Sequence, residues 1–94
     1  MSVARVTFEL PSVFEPILGA ERSIAVEAAT LDEALERLVA ARPVLATHLF
    51  DETGGFRQHV LCLHNGRSTR WMENLDVPVN DGDVISILQA VSGG

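Results

Sequence analysis

Along positions 3–10 apolar and polar residues alternate, with Ala4, Val6, Phe8 and Leu10 on one side and Arg5, Thr7 and Glu9 on the other. A period of two marks a strand with one buried face. Pro11, Pro16 and Gly19 then punctuate a loop. Positions 23–27 predict a second short strand, with Ile24 and Val26 turned inward. At Thr30 the period changes. Leu31, Ala34, Leu35, Leu38 and Val39 recur at the spacing of one buried helical face, so positions 30–42 predict the main helix. Thr30 and Glu33 form a T-x-x-E capping box, each side chain satisfying a backbone N–H left orphan at the helix start. Glu33 and Arg37 are spaced for an i, i+4 ion pair, and Pro43 stops the helix. Positions 44–50 allow one or two further helical turns, and 51–56, with Gly54-Gly55, read as a loop.

Positions 59–64 predict a third strand. Asn65-Gly66 follows, a strong signal for a type I′ hairpin, whose two central residues both need positive φ. Positions 67–71 would be the returning fourth strand. Asn80-Asp81-Gly82-Asp83 is a second tight turn, and it launches positions 84–88, Val-Ile-Ser-Ile-Leu, a run apolar on both faces. Such a run suits a central strand with a helix over one face and something apolar over the other. The predicted order is ββαβββ, an α+β class in which a mixed sheet packs on one main helix. With the first and last strands side by side in mid-sheet, this is the β-grasp, or ubiquitin-like, arrangement. The last strand then delivers the C-terminal tail from the centre of the sheet.

A chain of 94 residues supports one core, so positions 1–94 are read as one domain. Its 47% hydrophobic content and mean hydropathy of +0.20 exclude intrinsic disorder. The net charge of −6 would repel a nucleic-acid backbone or an anionic membrane, so neither is an expected partner. A basic groove on another protein matches this charge better, and solubility alone explains it equally well. The single cysteine, Cys62, cannot pair within the chain and gives no sign of an oxidising compartment. Positions 1–6 lack the apolar segment of a signal peptide and no apolar run approaches a membrane span, so the cytoplasm is the expected location.

Most informative is the tail, Val91-Ser92-Gly93-Gly94. Residues without a Cβ can follow an extended path through a channel too narrow for any other side chain. A diglycine end can therefore present its terminal carboxylate deep inside a partner's active site. Positions 90–94 are expected to be flexible.

Three segments resemble the ubiquitin-like sulfur carrier proteins of the MoaD/ThiS family. They are Asn65-Gly66 after a strand, Asn80-Asp81-Gly82-Asp83-Val84 before the last strand, and Val91-Ser92-Gly93-Gly94 at the end. Element order extends the resemblance over nearly the whole chain, and positions 80–94 carry its specificity. Gln89-Ala90 stands where many molybdopterin-synthase small subunits have Pro-Pro. The early Leu10-Pro11-Ser12-Val13 segment with Pro16, and positions 87–91, look more like the longer members, among them the actinobacterial carrier that feeds a cysteine synthase.

The resemblance implies a protein cosubstrate rather than an enzyme, although it could count as the small subunit of a sulfurtransferase such as molybdopterin synthase. An adenylating, E1-like partner would use ATP to convert the Gly94 carboxylate to an acyl-adenylate. A sulfur donor would then leave a thiocarboxylate at Gly94. Val91, Ser92 and Gly93 would thread into the partner, guided by backbone hydrogen bonds. The sulfur acceptor would be a molybdopterin-synthase large subunit or a cysteine synthase. No bound cofactor, metal or catalytic residue is expected on the carrier itself.

Other signals carry less weight. Cys62, between Leu61 and Leu63 on a predicted strand, reads as a buried and unactivated thiol. His48, His59 and His64 form no ligand set, because residues five apart on a strand point to opposite faces. Gly54-Gly55 lacks the spacing and lysine of a phosphate-binding loop. Phe8, Leu61, Leu63 and Trp71 are candidates for a partner-docking surface, though packing within the fold is the first claim on each. Two rival functions remain at this stage: a ubiquitin-like modifier joined to other proteins through Gly94, and a plain interaction module with an inert tail.

Overall fold

The computed structural model describes residues 3–72 and 74–89, the side chain of Trp71 excepted. Strand β1, Ala4–Glu9, follows the predicted alternation, with Ala4, Val6 and Phe8 buried and Arg5 and Glu9 exposed. It pairs antiparallel with β2, Ser23–Ala28, in a register running from Ala4 opposite Ala28 to Glu9 opposite Ser23. The connection is not the loop its prolines predict. Ser12–Phe14 makes a 3₁₀ turn that leads into a short helix α1, Glu15–Leu18. Pro16 falls in the first turn of α1, where a missing N–H removes no intrahelical bond. Burial of Phe14 anchors the segment, and Gly19, at φ 69°, ends it.

The main helix, α2, is Leu31–Ala41. Thr30 Oγ1 accepts from the Glu33 N–H at 3.1 Å, and Glu33 Oε1 accepts from the Ala29 N–H at 2.8 Å. The capping box forms, but its acid arm reaches one residue further back than a standard box. That arm points toward the helix start, and the expected Glu33–Arg37 ion pair is not among the ion pairs of the described residues. Two further orphan donors find partners in a segment distant in sequence: the Leu31 N–H bonds Val77 O and the Asp32 N–H bonds Leu75 O, both at 2.9 Å. At the other end Pro43 blocks continuation. The guanidinium of Arg42 grips both carboxylate oxygens of Glu21, at 2.7 and 2.6 Å, tying the helix end to the approach to β2. A third helix, α3, spans Leu45–Leu49, in the stretch where further helical turns were expected.

Strand β3, Val60–His64, turns at Asn65 (φ 51°) and Gly66 (φ 86°) into β4. Positive φ at both positions is what the predicted hairpin requires. The returning strand is only Arg67–Ser68, not five residues long. Ser68 Oγ accepts from the Arg70 N–H at 3.2 Å, and the chain leaves the sheet in a 3₁₀ turn, Thr69–Trp71. Strand β5, Val84–Gln89, lies between β1 and β3, parallel to the former and antiparallel to the latter. Among the described residues the sheet has five strands in the order β2-β1-β5-β3-β4. This is the β-grasp arrangement read from the sequence.

Phe8, Ile85 and Ile87 on the sheet meet Leu31 and Leu38 of α2 and Leu45 and Leu49 of α3, all seven essentially sealed from solvent. Fully burying side chains of this kind stabilises by about 1.5–3 kcal/mol each. The helices thus occupy one face of the sheet. The other face was expected to be covered by something apolar, and among the described residues nothing covers it at Leu88, which stays 42% exposed.

Candidate functional site

Period-two alternation along β5 sends Ile85 and Ile87 into the core and Val84, Ser86 and Leu88 to the opposite face. Register does the rest. Leu61 of β3 lies directly across from Leu88, and Leu63 across from Ser86. Leu61, Leu63 and Leu88 therefore share one open apolar face in mid-sheet, the first two half-buried and the third exposed. Of the residues named for a docking surface, Leu61 and Leu63 lie on this open face. Phe8 is not: the alternation that builds β1 turns it inward, and at 0% exposure it offers nothing to a partner. Leu88 was overlooked because the sequence reading assumed both faces of β5 to be covered. Its signal was the same alternation, two residues on from Ser86. The side chain of Trp71 lies outside the described residues, as do Val91, Ser92, Gly93 and Gly94.

The start of β5 is held by a polar network that also escaped the sequence reading. Asp83 is a buried acid. Its Oδ2 takes the Asn80 N–H at 2.9 Å and meets His64 Nε2 at 2.8 Å, while Oδ1 accepts from Asn65 Nδ2 at 2.9 Å. An ionised carboxylate only accepts, so the hydrogen sits on His64 Nε2. Burial pushes the Asp83 carboxyl upward, but the bonds from Asn65, Asn80 and His64 together outweigh it and hold the group below the usual carboxylate range. Asn65 Oδ1 in turn accepts from the Val84 N–H, and the Asn65 N–H donates to Val84 O, both at 2.8 Å. On the β1 side, the Arg5 N–H bonds Asp81 Oδ1 at 2.7 Å and the Thr7 N–H bonds Asp83 O at 3.0 Å. The two turns singled out in the sequence thus form one clamp, and it sets where the last strand begins.

Cys62 faces the core, where burial pushes its thiol up to about 11, only partly opposed by a hydrogen bond with Thr69. It is the inert thiol the sequence predicts. His48 packs against Phe14 with ring centroids 6.0 Å apart, His59 is exposed in the turn before β3, and His64 belongs to Asp83. Among the described residues no three His, Cys, Asp or Glu side chains gather as metal ligands would. Nor is any helix among them long and apolar enough to cross a membrane.

The model of the ThiS family matches residues 13–94. The chain belongs to the ThiS family. The resemblance carried by positions 80–94 therefore holds, and with it membership among the ubiquitin-like MoaD/ThiS proteins. As a ThiS-family chain it is similar to the sulfur carrier protein CysO of Mycobacterium tuberculosis, at 29% identity over 91 residues, which covers 95% of this chain and 98% of that protein. It is also similar to small archaeal modifier protein 3 of Haloferax volcanii, 33% identical over 66 residues, 70% of this chain and 71% of the relative. In structure it matches SAMP1 of Haloferax volcanii with a TM-score of 0.80 at 28% identity, covering 97% of this chain and all of the other. A TM-score of 0.80 is also reached with a chain of the BexX/CysO complex of Amycolatopsis orientalis, at 27% identity over 95% of this chain and 99% of that one.

Proposed function

We propose that this protein is a sulfur carrier whose Gly94 carboxylate is the atom-bearing group. The observation that carries this reading is the end-to-end similarity to CysO, a sulfur carrier protein by name, together with a family match that runs to Gly94. A carboxylate repels nucleophiles. Attack of one Gly94 oxygen on the α-phosphorus of ATP, in the site of an adenylating partner, would release pyrophosphate and leave an acyl-adenylate. A sulfide-equivalent donor would then add to the carbonyl carbon and expel AMP, leaving a thiocarboxylate. The sulfur is soft, nucleophilic and tethered. Gly93 keeps the space beside the reacting carbonyl clear, and Val91 and Ser92 supply backbone for a partner to grip. ATP belongs to the partner, and the carrier is spent and regenerated as a cosubstrate.

The open face around Leu61, Leu63 and Leu88 is the surface on which such a partner would dock. A solved structure similar to this chain is of a BexX/CysO complex, which supports association with a partner protein. The acceptor is either a molybdopterin-synthase large subunit or a cysteine synthase. Gln89-Ala90 in place of Pro-Pro supports the longer-form carriers and hence the second. The cytoplasm, where ATP is available, is the proposed location.

Intact-protein mass spectrometry after incubation with the cognate activating enzyme, ATP and a sulfur donor tests this directly. The expected result is replacement of one oxygen by sulfur at Gly94, and its loss when one alanine is added after Gly94. A persistently unmodified carboxylate would overturn the reading. Likeness to small archaeal modifier proteins supports a second use of the same adenylate, transfer to a lysine amine of another protein. High-mass adducts that vanish on deletion of Gly94 would establish that use. An inert tail predicts neither product.

A further inference from the structure

On the helical side of the molecule lies an open groove of about 790 Å³ between α2, α3 and the loop that follows α3. Its floor is apolar, made by Leu35, Val39, Phe50 and Phe56. The last two rings stack at 5.0 Å and close the loop on itself. Val39 belongs to the apolar stripe of α2 yet is only half-buried, because the groove lies over it. The rim is predominantly acidic, four carboxylates against one guanidinium. Asp32, Glu36, Asp51 and Glu52 are all exposed there, and none takes part in an ion pair among the described residues. Arg57 is the one cation of the lining, and its Nε is already committed to Thr47 O at 2.7 Å. Asp51 holds its own loop through Thr53 and Gly55, so Asp32, Glu36 and Glu52 are the acids left for a visitor.

We infer that this groove docks a basic amphipathic helix of a partner protein, its apolar face on the floor and its lysines or arginines against the rim. An anionic ligand would be repelled, and a neutral one would gain nothing from the carboxylates. An added strand is disfavoured because every lining residue belongs to a helix or loop, so no strand edge is offered, whereas an apolar trough suits a helix laid into it. The groove's lining does not include Leu61, Leu63 or Leu88, although Phe56 and Arg57 also border a smaller pocket that reaches Leu61. The inference stands whether or not Gly94 carries sulfur.

Titration of the ¹⁵N-labelled full-length chain with a synthetic amphipathic helix of lysine and leucine tests it. Saturable binding is expected, with amide shifts centred on Glu36, Val39, Phe50 and Phe56 and an affinity that falls as salt rises. The exposed double variant Glu36→Lys/Glu52→Lys, verified as folded by its thermal transition, should bind roughly tenfold more weakly. A matched helix of glutamate and leucine should not bind. Shifts centred on Leu61, Leu63 and Leu88, equal binding of the acidic helix, indifference to the double variant, or no saturable binding of the basic helix would each overturn the proposal.

Discussion

The side-chain amide of Asn65 donates to Asp83 Oδ1 at 2.9 Å, across eighteen residues of chain. Through that bond the hairpin between β3 and β4 and the turn before β5 are one unit. Replacing Asp83 by alanine would leave the Asn65 amide, the Asn80 N–H and His64 Nε2 without their acceptor. The acid is buried and the bonds to it are only part-buried, so Asp83→Ala is expected to lower stability by about 1–3 kcal/mol. Urea denaturation followed by circular dichroism measures this, and a loss no larger than that of an exposed aspartate such as Asp76 would refute the clamp.

The same carboxylate sets an acid limit. Hydrogen bonds hold the folded Asp83 carboxyl below its ordinary value. A depressed acid contributes its stabilisation in full above the unfolded carboxyl value of about 3.9, and loses it as pH falls through the lower folded value. Urea midpoints from neutral pH downward should therefore fall more steeply below about pH 4 in the native protein than in Asp83→Asn, which has no such group to protonate. Parallel curves would contradict the assignment. Glu21 and Asp51 are lowered too, by Arg42 and by Thr53 respectively, but at the surface, where solvent screens their contribution.

For Cys62 the expectation is silence. With the thiol pushed up to about 11, only roughly one molecule in a thousand is ionised at pH 8. Iodoacetamide should label the native chain negligibly and the urea-unfolded chain fully, read by intact mass. Rapid labelling in native buffer would mean that β3 opens far more easily than its packing implies.

On the sheet face, Leu88→Asp separates fold from docking. Its loss removes one cross-strand contact with Leu61, worth about 0.2–1 kcal/mol, and leaves the core untouched. Affinity for the activating partner should fall at least about tenfold, as for a central interface residue. Calorimetric titration against that partner is the measurement. Unchanged binding would move the docking surface elsewhere.

What could be read ahead of the structure followed from local rules. Alternation placed Val6 and Ile24 inward, the capping box started α2 at the right residue, and Asn65-Gly66 turned with the φ values it must have. What could not be read depended on register or on remote partners. The fourth strand was overextended because the capping bond from the Arg70 N–H to Ser68 Oγ competes with the ladder. Glu33 bonds backward to Ala29, so an i, i+4 match to Arg37 existed in spacing only. The cap on α2 from Leu75 and Val77, and the bonds of His64 and Asn65 to Asp83, join positions more than forty or nearly twenty residues apart, and no periodicity reports such contacts. On the open sheet face, Leu61 and Leu63 were candidates from the sequence, while Leu88 needed its place across from Leu61 and Phe8 needed the inward face of β1 to be taken at its word.

The parallel pairing of β1 with β5 sets the start of the first strand and the end of the last one apart along the sheet. Thr7 lies beside Val84, so Gln89 sits some eight residue steps further along the sheet than Ala4, about 26 Å at ~3.3 Å per residue. Ala4 and Gln89 therefore lie toward opposite rims of the sheet. If the tail threads into a partner as proposed, an affinity tag, a fluorophore or a whole fused protein joined at the leading end is expected to leave that step intact.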